Sequence, residues 1–216
     1  MRYKSVLLVL LMQNLCFAQS KTIKEIKIGP QTWMTENLNV DRFRNGDLIP
    51  EVKSNEEWQR AGELGQPAWC YYENNPANGA KYGRLYNWYA VNDARGLAPV
   101  GWHVPNIEEW KQLVDYLGGE NAAGEKMKSN NGWKESGNGS NSSGFSAYPG
   151  GYRDFFGAFR FLGESANWWN SWEYDTGKAW ILELYYLKTG MSFNVYELLT
   201  PIRHEGYGIS VRCLRD

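Results

Sequence analysis

"KAWILELYYLKTGMSFNVYEL", residues 178–198, is where the chain changes its period. Two runs rich in aromatic and apolar side chains are broken once, at Lys188-Thr189-Gly190. They predict a hairpin, with Gly190 supplying a positive φ in the turn. The next apolar stretch, "GYGISVRCL" (206–214), alternates Tyr207, Ile209, Val211 and Cys213 against Gly208, Ser210 and Arg212. That alternation predicts a strand with Cys213 on its buried face.

Working backwards, the pattern is helical. In "GWHVPNIEEW" (101–110), Asn106 stands three residues before Glu109 and just ahead of the apolar positions Ile107, Trp110, Leu113, Val114 and Leu117. The spacing predicts a capping box opening an amphipathic helix that Gly118-Gly119 stops. His103 is expected to hydrogen-bond locally, because no nucleophile and no metal-ligand spacing accompanies it. "SNEEWQRAGELG" (54–65) predicts a shorter helix capped by Ser54, with Trp58, Ala61 and Leu64 inward. Leu85, Trp88 and Val91, after Gly83, suggest another. Near the start, "IKIGPQTWMTENLNV" (26–40) reads as a strand pair about Gly29-Pro30. Helices early and strands late indicate an α+β domain with an antiparallel sheet. Ser136 to Gly144 has too few apolar residues to pack and reads as a mobile loop.

Residues 1–18 read as a signal peptide: Arg2 and Lys4, then an apolar run too short to span a bilayer, then Cys16-Phe17-Ala18. Cleavage after Ala18 leaves Gln19 first, and loss of the two cations takes the net charge from −1 to −3. A lipidated Cys16 is the rival, but Gln13-Asn14-Leu15 lacks a small residue before it. The expectation is a secreted, periplasmic or outer-surface bacterial protein with no transmembrane segment once the leader is gone. The acidic balance argues against nucleic acid as a partner. Residues 19–31 form a lead and 32–216 a single domain. Cys70 and Cys213 remain after cleavage, and an even count in an exported chain reads first as a disulfide. A loop that long could contribute about 4–5 kcal/mol in the chain-entropy model.

The motifs "QTWMTENLNV", "YGRLYNWYAV", "GWHVPNIEEW", "YLGG", "KMKS", "GFSAYPGGYRD", "WWNSWEYD" and "GISVRCLRD" occur in an order that resembles the Fibrobacter succinogenes major paralogous domain, from about Thr32 to Asp216. The resemblance implies an exported bacterial protein with a C-type lectin-like fold: two or three short helices, a small antiparallel sheet and long irregular loops. Formylglycine-generating enzymes and tail-fibre receptor-binding domains share that fold. Many members carry an extra cysteine near the Gly-Trp-His motif, where this chain reads Leu97-Ala98-Pro99-Val100, so any bridge made there is missing.

Fold alone assigns no chemistry. Formylglycine generation needs a close cysteine pair near the C-terminus, and only Cys213 lies there. His103 and His204 are the only histidines, and neither has zinc-ligand spacing. The lectin calcium signals are broken at Asn75-Pro76 and Trp169-Asn170-Ser171. Asn170, Glu173 and Asp175 could still hold calcium, but solvated turn residues are the commoner explanation, so no cofactor is expected. No carboxylate pair stands out for glycoside hydrolysis and no nucleophile elbow is present.

What remains is binding. "NWWNSWEYD" (167–175) places Trp168, Trp169 and Trp172 within five residues, and flat rings stack on sugars. Core packing is the competing explanation. "PGGYRDFFGAFRF" (149–161) adds Tyr152, Arg153 and Phe156 as a neighbouring surface, or as a loop covering the core. The leading expectation is a non-catalytic domain binding a glycan or cell-surface protein through Trp168, Trp169, Trp172, Tyr152 and Arg153. The alternatives are an enzyme, either a hydrolase or a formylglycine-generating-like oxidoreductase with His204 and Glu205 in its cleft, and a structural envelope component.

Overall fold

The computed structural model describes residues 23–175, 178–187, 190–195 and 206–216. The chain opens with a hairpin, β1 (Glu25–Ile28) and β2 (Gln31–Met34), in which Ile28 faces Gln31 across Gly29-Pro30. Gly29 has φ +59°, and a Cβ there would stand 2.7 Å from the Tyr116 ring. Both the backbone angle and the space demand glycine.

The next elements in order are α1 (Asn55–Glu63), β3 (Trp69–Cys70), α2 (Pro76–Tyr82), β4 (Leu85–Tyr86), α3 (Trp88–Val91), β5 (Trp102–His103), α4 (Ile107–Tyr116) and α5 (Glu120–Met127). Two short strands follow, β6 (Tyr152–Arg153) and β7 (Phe159–Arg160), then the longer β8 (Ser165–Asp175), β9 (Lys178–Tyr185) and β10 (Met191–Val195), and finally β11 (Leu214–Arg215). Mixed α and β with small antiparallel sheets is the result, an α+β arrangement.

The last strand is central. The first sheet runs β1-β2-β11-β5, so Leu214 lies between Trp33 and His103. Just before it, Gly208, Ile209 and Ser210 bridge to Arg153, Tyr86 and Trp168 and so tie the sheets together. Ile209, Val211 and Cys213 enter the core as the alternation predicts. Ser210 and Arg212 are buried too, because protein covers both faces of this segment.

The second sheet, β10-β9-β8, separates two clusters of the core. Successive side chains on β8 point opposite ways. Trp168 therefore joins Trp33, Trp110 and Phe145, and Trp169 joins Trp88 and Tyr86 on the other side. Trp168 lies 6.1 Å from Trp110 and Trp169 lies 5.4 Å from Trp88, centroid to centroid.

The predicted helix starts hold at Ser54 and Asn106. Ser54 accepts from Glu57 N, and at α4 both halves of the box form: Asn106 accepts from Glu109 N while Glu109 accepts from Asn106 N. Ile107, Trp110, Leu113 and Val114 are buried. Leu64, predicted to face inward, is the C-cap of α1 and is exposed, since the helix ends before completing another turn. The helix expected through Leu85, Trp88 and Val91 is only α3; Leu85 belongs to β4, whose partner β3 outbids helical spacing. Pro76–Tyr82 and Glu120–Met127 are helices that periodicity did not mark.

The hairpin of residues 178–195 forms, with Leu184 opposite Met191, while Lys188 and Thr189 lie outside the described residues. Gly190 does not have the positive φ expected. Its role is close approach, since a Cβ there would stand 2.7 Å from the Glu120 carbonyl oxygen. Ser136 to Gly144 lacks apolar packing but is tied down by hydrogen bonds: Gly139 N to Ser129 O, Ser140 N to Glu125 O and Ser143 N to Lys126 O.

The disulfide is a correction. Cys70 packs with Trp58, Ala61, Tyr72 and Leu85, whereas Cys213 packs with Tyr86, Trp102 and Val104 in another cluster. Both thiols are free and buried. Burial pushes each up to about 12, so they are neutral, apolar core side chains.

Candidate binding surface

The β6–β7 hairpin sorts its residues by face. Arg153 points in and is fully buried. It donates to the carbonyls of Val52, Lys53, Ser54 and Gly157 and to Asn55 Oδ1, with its guanidinium over the Trp58 ring at 4.5 Å. So many commitments make Arg153 the clamp on the entry to α1, and they leave it unavailable to a ligand.

Tyr152 points the other way and is half-buried. Its ring lies 5.7 Å from Phe161 and 5.8 Å from Tyr207, forming a row of three. Phe161 is 44% exposed and has φ +58°, a left-handed conformation that bulky residues rarely adopt. Its carbonyl accepts from Glu164 N and Ser165 N, so the surrounding turn holds the strained backbone in place. Gly151 permits the approach beneath, where a Cβ would stand 2.2 Å from the Arg160 carbonyl oxygen.

Charge lies at the edge of this row. Arg160, opposite Tyr152 in the ladder, donates from Nε to Asp154 Oδ2 at 3.0 Å. Asp154 is nearly buried and also accepts from Ala158 N. Burial pushes the Tyr152 hydroxyl up to about 12, and the charges of Tyr207, Glu183 and Asp154 add to the shift while Arg160 opposes it. Tyr207 is raised for the same reasons, burial first and then Asp154. Both phenols therefore stay protonated at neutral pH, able to donate as well as accept. Aromatic faces bordered by carboxylates and a guanidinium suit a ligand with an apolar face and hydroxylated edges.

The tryptophans are placed otherwise. Trp168 is 0% and Trp169 1% exposed, and their indoles donate to Asn37 Oδ1 and the Tyr86 carbonyl. Packing has consumed both rings, and the ligand-facing role expected of them is withdrawn. Trp172 is 48% exposed, beyond the irregularity that interrupts β8 after Trp169. Phe156 is also exposed, edge-on to Phe155. Of the residues singled out in the sequence, only Tyr152 enters the aromatic row. Phe161 has no local signal for exposure, and Tyr207, inward by alternation, is half-buried with its ring packed in part against the core.

For calcium, Asn170 Oδ1 accepts from Trp172 N, and Glu173 Oε1 accepts from the Trp88 indole, so both oxygens are engaged. The side chain of Asp175, like His204 and Glu205, lies outside what is described. Among the described residues no group of three His, Cys, Asp or Glu could hold a metal ion. His103 bonds locally as predicted: Nε2 meets Glu109 Oε1 at 2.9 Å and Nδ1 meets Asp216 Oδ1 at 2.7 Å. The imidazole pins the end of the chain to the first turn of α4, with no nucleophile in the arrangement. Among the described residues no helix is long and apolar enough to cross a membrane.

Compared with known families, residues 26–215 match the Fibrobacter succinogenes major domain. No curated protein and no solved structure matches the chain.

Proposed function

The chain belongs to the Fibrobacter succinogenes major domain family, and from that premise we propose that it is an exported, non-catalytic binding domain of C-type lectin-like fold that holds a glycan on the Tyr152–Phe161–Tyr207 face. The observation carrying this reading is the row of three rings, exposed at Phe161 and half-buried at Tyr152 and Tyr207, with Asp154, Arg160 and Glu183 at its edge. A pyranose presents an apolar C–H face to such rings and hydroxyls to such charges. The strained Phe161 supports it further, since left-handed bulky residues persist where structure enforces them and cluster at ligand sites. The leader read in residues 1–18 accounts for export, with the mature protein starting at Gln19 at the cell surface, in the periplasm or outside. The central terminal strand and the loop-rich second half are compatible with a lectin-like scaffold.

A glycan array with the mature protein tests the proposal. Binding to a defined subset is expected, falling about tenfold in Phe161→Ala and Tyr152→Ala, the loss of one stacking contact. An array without hits, or hits indifferent to both substitutions, defeats it.

A further inference from the structure

Away from the aromatic row, the segment after β2 and the helix α2 enclose a groove. One part, 380 Å³, is lined by Lys24, Met34, Asn39 and Gly83 among others, and the next, 320 Å³, by Thr35, Tyr148 and Arg212. Glu36, Asn37, Ala80 and Lys81 border both, so the two are continuous. Its charge is one-sided. Lys24, Lys81 and Arg212 face a single lining carboxylate, Glu36, which Lys24 already engages at 2.6 Å. This concentration of cations occurs in a chain whose net charge is −1.

Arg212 is the unusual member. It is 1% exposed and bonds only to neutral acceptors: Nε and Nη2 to Asn37 Oδ1, and Nη1 to the carbonyls of Met34 and Phe145. Among the described residues no carboxylate is one of its partners, and these bonds take four of its five N–H groups, leaving one on Nη2. A buried cation without a counter-ion is costly, which is why burial pushes Arg212 down to about 9, with Cys213 and Glu36 opposing. Lys81 is likewise unpaired with any acid among the described residues; its Nζ lies 5.1 and 5.2 Å from the Tyr82 and Tyr148 rings.

We propose that this groove is a carboxylate-binding site, in which Arg212 at the floor and Lys81 at the rim take the anion and Tyr148 flanks it. The one Nη2 N–H of Arg212 not taken by Asn37, Met34 or Phe145 can donate to a carboxylate oxygen at the floor while Lys81 meets the anion at the rim, and the anion would provide the negative charge that the fold omits at Arg212. The carboxylate could belong to a sugar acid or to the end of a peptide chain. The site is separate from the proposed glycan face and does not depend on it.

Calorimetric titration of the mature protein at neutral pH, with sodium D-glucuronate, N-acetylglycine, D-glucose and inorganic phosphate in parallel, decides the matter. Binding of glucuronate or N-acetylglycine is expected, with the stronger of the two naming the source, and D-glucose should not bind. Lys81→Glu, at an exposed position, should weaken the carboxylate about tenfold while leaving the melting temperature unchanged. Phe161→Ala should leave this binding intact, which keeps the two sites distinguishable. No carboxylate binding, equal or tighter binding of phosphate or glucose, or indifference to Lys81→Glu would each overturn the proposal. Arg212→Lys adds a second readout wherever it folds, because an ammonium cannot hold Asn37, Met34 and Phe145 and still present an N–H to the groove, so affinity should fall.

Discussion

Trp168 and Trp169 are adjacent in the chain and Tyr152 and Phe161 nine residues apart, yet the first pair is sealed in the core while the second is half-buried at Tyr152 and exposed at Phe161. The difference lies in what covers each strand. β8 has protein on both faces, so whichever way a ring points it meets a cluster; on the β6–β7 hairpin Arg153 is fully enclosed, whereas Tyr152 packs only in part against the core and Phe161 beside it stays exposed. Adjacent aromatics therefore report where a chain packs, and incomplete coverage reports where it can bind.

The strongest way to break that contrast is Trp168→Ala. Trp168 touches Trp110 and Phe145 and donates to Asn37 Oδ1 alongside Arg212, so truncation leaves a cavity and removes one buried hydrogen bond. Denaturant unfolding should show a loss of about 3–5 kcal/mol. A loss under about 1 kcal/mol would mean that the ring is not packed as described.

Phe161→Gly probes the open side and should act in the opposite sense. Glycine accepts φ +58° without strain, so stability should hold or rise by up to about 1 kcal/mol while glycan affinity drops. Stability and binding moving together would place Phe161 in the core instead.

How much of this was legible follows from the range of the forces involved. The α4 capping box, the Ser54 cap and the Gly29-Pro30 hairpin are local, set by residues within four positions, and all three appear where the sequence places them. Leu85 was misread because its helical spacing competes with a distant partner, Trp69-Cys70, which one sequence does not reveal. Exposure of Phe161 depends on non-local packing and leaves no periodic trace. Arg212 was read as the polar side of a strand, and its burial arises only because β2 and Phe145 close over it from far away in the chain.

The cysteines give the smallest expected effect and the sharpest test of the two-cluster core. Cys70 belongs with Trp58 and Leu85, Cys213 with Tyr86 and Trp102, and burial keeps both thiols protonated up to about 12. Excess dithiothreitol should therefore leave the melting temperature of the mature protein unchanged. A bridge over so long a loop would contribute about 4–5 kcal/mol, and its reduction would lower the midpoint by about 10 °C in a domain of this size. A shift of that order would bring the two clusters together at Cys70 and Cys213, and would require β3 and the approach to β11 to meet where the structure keeps them in separate packing environments.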